Sequence, residues 1–144
     1  MNSTSPLNQL AGLIPQKSIV WFTSIAGEGQ LHSRPMVVQE VDINGNLRFF
    51  MSRTSHPVIE ITANPQVVIA FNQGDTKPRL AISGHASEDP DRSHMNQWWL
   101  DEYMTWFPLG INDPDLALIR VIPIAAECWN QSNQHHFHLG VCHR

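Results

Sequence analysis

Ser33-Arg34-Pro35-Met36, then Leu47-Arg48-Phe49-Phe50-Met51-Ser52, then Ser55-His56-Pro57-Val58-Ile59-Glu60-Ile61 carry two strands and a helix in succession. The first two segments belong to strands, over Leu31 to Val41 and Leu47 to Ser52. The Asn-Gly pair of Asp42-Ile43-Asn44-Gly45-Asn46 marks a tight turn between them. The third segment changes period. Val58, Ile59, Ile61 and Thr62 sit on a helix over 55–63, with Ser55 at the cap, Pro57 in the first turn and Asn64-Pro65 ending it. Hairpin followed by crossover helix is the core of the pattern.

Upstream, Pro6 to Ile14 has apolar residues at helical spacing and stops at Pro15. Ser18 to Ile25 alternates two largely apolar sets, which predicts a strand buried on both faces, and Gly27-Glu28-Gly29 supplies a hairpin turn. Downstream, Gln66 to Asn72 and Arg79 to Ala86 read as strands joined by a loop of turn formers, with Gly84 marking a bulge or close backbone approach. Asp89 to Trp99 reads as a helix opened by an acidic first turn, and Leu116 to Trp129 as the last long strand. The expected fold is mainly β (α+β), a six-stranded antiparallel barrel with a few flanking helices and no βαβ rhythm.

The length of 144 residues predicts one domain over 1–144, with 131–144 as a polar, His-rich tail. Apolar residues at 42% and charged residues at 15% describe an ordinary soluble protein, and no apolar run approaches the ~18 residues of a spanning helix. Met1 to Gln16 has no basic region ahead of its apolar residues, so a cytoplasmic location is expected and a membrane role is not. A net charge of -4 argues against nucleic acid, which is bound through a basic face. Cys128 and Cys142 make no zinc or thioredoxin spacing, and in the cytosol the pair is expected to be reduced.

The three segments resemble the pyridoxamine phosphate oxidase-like, flavin-binding split barrels. A second stretch, Trp106-Phe107-Pro108-Leu109-Gly110-Ile111-Asn112-Asp113-Pro114-Asp115 with Leu118-Ile119-Arg120-Val121-Ile122-Pro123 and Glu127-Cys128-Trp129, resembles the general stress protein branch of that family. The resemblance implies a split barrel, bound flavin mononucleotide (FMN) and a homodimer with the cofactor at the subunit boundary. It implies cofactor contacts from Arg34, Pro35, Met36 and Phe50, continuing through Met51, Ser52, Ser55 and His56, with Arg79 and Trp99 as further candidates.

Two departures weaken the phosphate grip that the resemblance implies. The threonine expected after the aromatic strand is replaced by Met51 followed by Ser52. A Ser-x-Lys phosphate clamp falls on Ser55, His56 and Pro57, so its lysine has become proline. A hydrogen bond to a charged group worth about 1.5–3 kcal/mol corresponds to roughly 10- to 150-fold in affinity. Arg53, Lys77, Arg79 or a protonated His56 are the candidates to replace that cation.

Simpler roles stand beside these. Arg34 has a second reading, behind the flavin role, as a strand surface residue, Ser55 reads at least equally as a helix cap, one of Phe49 and Phe50 as core, and Trp98, Trp99 and Trp106 as core or dimer interface ahead of flavin stacking. His135, His136, His138, Cys142 and His143 offer metal or haem ligand types, but ligand types in a terminal tract are weak evidence and no metal site is assigned. No residue pattern identifies a nucleophile or proton-transfer group, and no catalytic residue is assigned. The resemblance therefore implies a small flavin-binding oxidoreductase, stress-related, with NAD(P)H or a small molecule as reaction partner. The alternative is a non-catalytic split barrel that binds another ligand or a protein.

Overall fold

The computed structural model describes residues 9–72, 74 and 79–129. Seven strands form one antiparallel sheet: β1 (Ile19–Ile25), β2 (Leu31–Val37), β3 (Glu40–Val41), β4 (Leu47–Ser52), β5 (Gln66–Asn72), β6 (Arg79–Glu88) and β7 (Leu116–Trp129), in spatial order β2-β1-β5-β6-β7-β4-β3. The sheet curls until β2 meets β4, giving the split barrel expected from the sequence. The count is seven rather than six because the predicted strand 31–41 breaks at Val38 and Gln39. Both side chains turn inward, and Gln39 N–H bonds back to the Arg48 carbonyl at 2.7 Å.

Alternation along the strands builds the core. Leu47, Phe49 and Met51 of β4 point into it, against Val20 and Phe22 of β1 and Ile69 of β5. Phe22 and Phe49 meet edge to face, with ring centroids 5.4 Å apart. Burying each such side chain contributes about 1.5–3 kcal/mol. Contrary to the expectation of a strand buried on both faces, β1 hides only one: Ile19 and Trp21 are exposed while Val20, Phe22 and Ser24 are buried.

Gly84 behaves as its place in the strand predicts. The β6–β7 register shifts between Ser83 and Gly84, and a Cβ at Gly84 would lie 2.6 Å from the Ile122 carbonyl oxygen. The crossover helix α2 (His56–Ala63) follows β4, with Pro57 in its first turn. The predicted helix 89–99 shrinks to Met95–Trp98. Asp89 is buried and continues the sheet, its N–H bonded to the Leu118 carbonyl at 2.8 Å and its carboxylate receiving Arg48 Nε at 3.1 Å. Asp89 is thus held in the sheet by its backbone and by Arg48, and the helix starts only at Met95.

Cys128 is buried in β7. Cys142 and the His-rich tail lie outside the described residues, as does Lys77. No helix among the described residues is long and apolar enough to cross a membrane.

Candidate functional site

A cavity of about 460 Å³ opens where β2 meets β4, between the start of α2 and the segment 101–107. Pro35, Met36 and Val37 of β2 line one side, and Phe50, Met51 and Ser52 of β4 the other. Strand alternation explains why the two phenylalanines part company: Phe49 enters the barrel core, while Phe50 turns outward into a second aromatic cluster. There Phe50 packs against Trp99 and Tyr103, with centroids at 5.9 and 6.0 Å, and Trp98 lies 6.5 Å away. Trp106, 66% exposed, also lines the cavity. The result is a largely apolar cleft with a rigid aromatic wall, suited to a flat ring.

Polar groups reach this cleft at two places. Gln39, 2% exposed, lies against Tyr103, with its Nε2 donating to the phenol oxygen at 3.1 Å. Lys17 donates to Gln39 Oε1, to the Trp98 carbonyl and, at 3.3 Å, to Tyr103 Oη. Its backbone takes φ 67°, a left-handed conformation uncommon for a residue with a Cβ. At the other place, Ser52 Oγ donates to Asp115 Oδ2 at 2.5 Å and Ser55 Oγ donates to the Ser52 carbonyl at 2.6 Å. The Ser52 hydroxyl, with smaller contributions from Thr54 and Arg53 N–H groups, holds the Asp115 carboxyl below its usual range. Ser55 occupies the cap position of α2 but makes no side-chain cap bond.

Arg34 lies elsewhere. Its guanidinium donates to Ser24 Oγ at 2.9 Å and the Phe22 carbonyl at 3.3 Å, and pairs with Glu60 Oε1 at 3.4 Å. His32 Nδ1 is 2.7 Å from the second Glu60 oxygen, so the cluster ties β1 and β2 to α2. The Ser24 hydroxyl, followed by His32 and Arg34, lowers the Glu60 pKa against the opposing effect of burial.

Of the residues singled out in the sequence, Pro35, Met36, Phe50, Met51, Ser52 and Ser55 come together on the cavity wall. Arg34, His56, Arg79 and Trp99 do not line it: His56 is exposed at the start of α2, Arg79 stands opposite Trp129 in the β6–β7 ladder, and Trp99 backs Phe50. Arg53 pairs with Glu88. Sequence reasoning missed Lys17, Gln39, Tyr103 and Glu60. A lysine and a glutamine 22 positions apart carry no local signal, although Glu60, polar on a helix in contact with apolar neighbours, could have been suspected of having a partner.

The sequence profile described as pyridoxamine 5'-phosphate oxidase like matches residues 6–142. The chain belongs to the pyridoxamine 5'-phosphate oxidase-like family. Its fold is similar to that of general stress protein 26 from Bacillus anthracis, at TM-score 0.75 and 19% identity, over 91% of this chain and 96% of the other. The general stress FMN/FAD binding protein from Xanthomonas citri is similar at TM-score 0.70 and 25% identity, over 88% of each chain. A pyridoxamine 5'-phosphate oxidase-related, FMN binding protein from Nostoc punctiforme follows at TM-score 0.69 and 15% identity, over 92% of this chain and 84% of the other. No curated protein matches the chain.

Proposed function

We propose that this protein is a small flavin-binding oxidoreductase of the stress-related branch of its family, working in the cytoplasm. The observation that carries the reading is the cleft between β2 and β4, whose apolar lining and Phe50–Tyr103 wall match a planar ring. The relatives described as binding FMN or FAD support it. Pro35, Met36, Phe50 and Met51 would hold the ring, while Gln39 and Tyr103 offer polar atoms toward its edge. The ring portion of FMN suits this lining. The phosphate does not, because no lysine, arginine or histidine among the described residues lines the cavity. A bound flavin supplies hydride or electron transfer, and the protein's part is to bind and orient it and limit its contact with water.

The second reading, a non-catalytic split barrel, is favoured by that same missing cation. Visible spectra taken with FMN, followed by addition of NAD(P)H, separate the two. A shifted flavin band that bleaches on reduction supports the oxidoreductase. A shifted band that NAD(P)H does not bleach supports flavin binding without turnover, and an unshifted band contradicts the oxidoreductase and supports the non-catalytic split barrel that binds another ligand or a protein.

We further propose a homodimer. Trp21 of β1, Val68 of β5, and Ile122 and Ile124 of β7 are exposed apolar residues of the sheet, a surface of the kind that partners cover. Sedimentation at micromolar concentration tests it, and a monomer there would contradict the proposal.

A further inference from the structure

We propose that the cleft takes an uncharged, flat aromatic ligand and gains no affinity from a phosphate, so that among flavins it binds riboflavin at least as tightly as FMN; the inference rests on the flavin reading above. A phosphate dianion needs donated protons and positive charge. The serine hydroxyls and the ammonium at this cleft have their protons committed inward. A serine hydroxyl has one proton and two lone pairs. Ser52 gives its proton to Asp115 and Ser55 gives its own to the Ser52 carbonyl, which leaves both oxygens as acceptors toward the cavity. At the opposite wall, Lys17 directs its ammonium to Gln39, Trp98 and Tyr103, three acceptors for three protons.

Charge points the same way. The carboxylate of Asp115 sits directly behind Ser52, well within the Debye length of about 8–10 Å over which it would repel a dianion on that wall. The arginines near the cleft have acidic partners, Arg34 with Glu60 and Arg53 with Glu88, and Lys17 spends its protons on Gln39, the Trp98 carbonyl and Tyr103. The first turn of α2 is also short of one donor, since Pro57 has no N–H. An apolar slot edged by acceptors and backed by a carboxylate selects a neutral ring bearing N–H or O–H groups over a phosphorylated one.

Titration of the full chain with riboflavin and with FMN, each followed by quenching of flavin fluorescence, tests the proposal. Riboflavin is expected to bind as tightly as FMN or more so. Asp115→Asn, which keeps the side-chain shape, is expected to improve FMN binding by about two- to fivefold and leave riboflavin unchanged. FMN binding about fivefold or more tightly than riboflavin to the unaltered protein would overturn the inference while leaving the flavin reading intact. Equal effects of Asp115→Asn on both ligands would also overturn it. Binding of neither flavin would remove the flavin reading and the inference together.

Discussion

Ser52 on β4 donates its hydroxyl proton to Asp115, the residue just ahead of β7, across 2.5 Å. That bond joins two neighbouring strands at the cleft and turns a hydroxyl that could have served an anion into an acceptor. Its geometry follows from register, because Ser52 stands opposite Leu116 and so brings Asp115 alongside. The same pairing that builds the barrel therefore sets the polarity of the site.

Restoring a cation should create a phosphate preference. Pro57→Lys adds an ammonium beside Ser55 and His56, although Pro57 is buried and the lysine stem must carry the charge outward. FMN affinity is expected to rise by about 10-fold or more with riboflavin unaffected. Paired titrations check this, and melting curves should show a lower Tm for the variant.

Arg34→Ala should act on stability before binding. It removes the guanidinium from Ser24, the Phe22 carbonyl and Glu60, and leaves a largely buried carboxylate with fewer partners. A loss of about 1.5–3 kcal/mol is expected in urea unfolding, with flavin Kd changed by less than about threefold. A large rise in Kd at unchanged stability would place Arg34 on the ligand instead.

Acid should loosen the β1–β2–α2 junction. Hydrogen bonding from Ser24, then His32 and Arg34, sets the Glu60 pKa below its ordinary value of 4.5. A carboxyl with a lowered folded pKa contributes stability above its unfolded pKa, and that contribution is lost as pH falls through the folded value. The unaltered protein should therefore lose Tm below pH 4.5, and Glu60→Gln should have a lower Tm at pH 7 with a shallower acid limb. Melting curves over that range measure both.

Gly84→Ala should destabilise the barrel without touching the cleft. The added methyl would meet the Ile122 carbonyl at 2.6 Å and Val121 Cγ1 at 2.9 Å, both on the paired strand. The expected cost is about 1–3 kcal/mol in chemical denaturation, with flavin affinity unchanged.

The strands were legible in the sequence where one local signal dominated. The bounds predicted for the strands 47–52, 66–72 and 116–129 are those observed, because turn formers or prolines flank each apolar run. The helix expected from Asp89 failed because its acidic start is held by Arg48, a partner 41 residues away that no local pattern reveals. The site was legible on the same terms. Met36, Phe50 and Ser55 lay within motifs that carry a resemblance, and they line the cavity. Lys17, Gln39 and Tyr103 meet only through tertiary folding, and the pairing of Arg34 with Glu60 depends on where α2 lands against the sheet.

The most direct test of the account is a crystal structure of the full chain with FMN. The account predicts the ring in the cleft between β2 and β4, against Phe50 and Tyr103, with the phosphate reaching solvent. A phosphate held by Ser52 and Ser55 beside a cationic side chain, or a flavin bound outside that cleft, would contradict it.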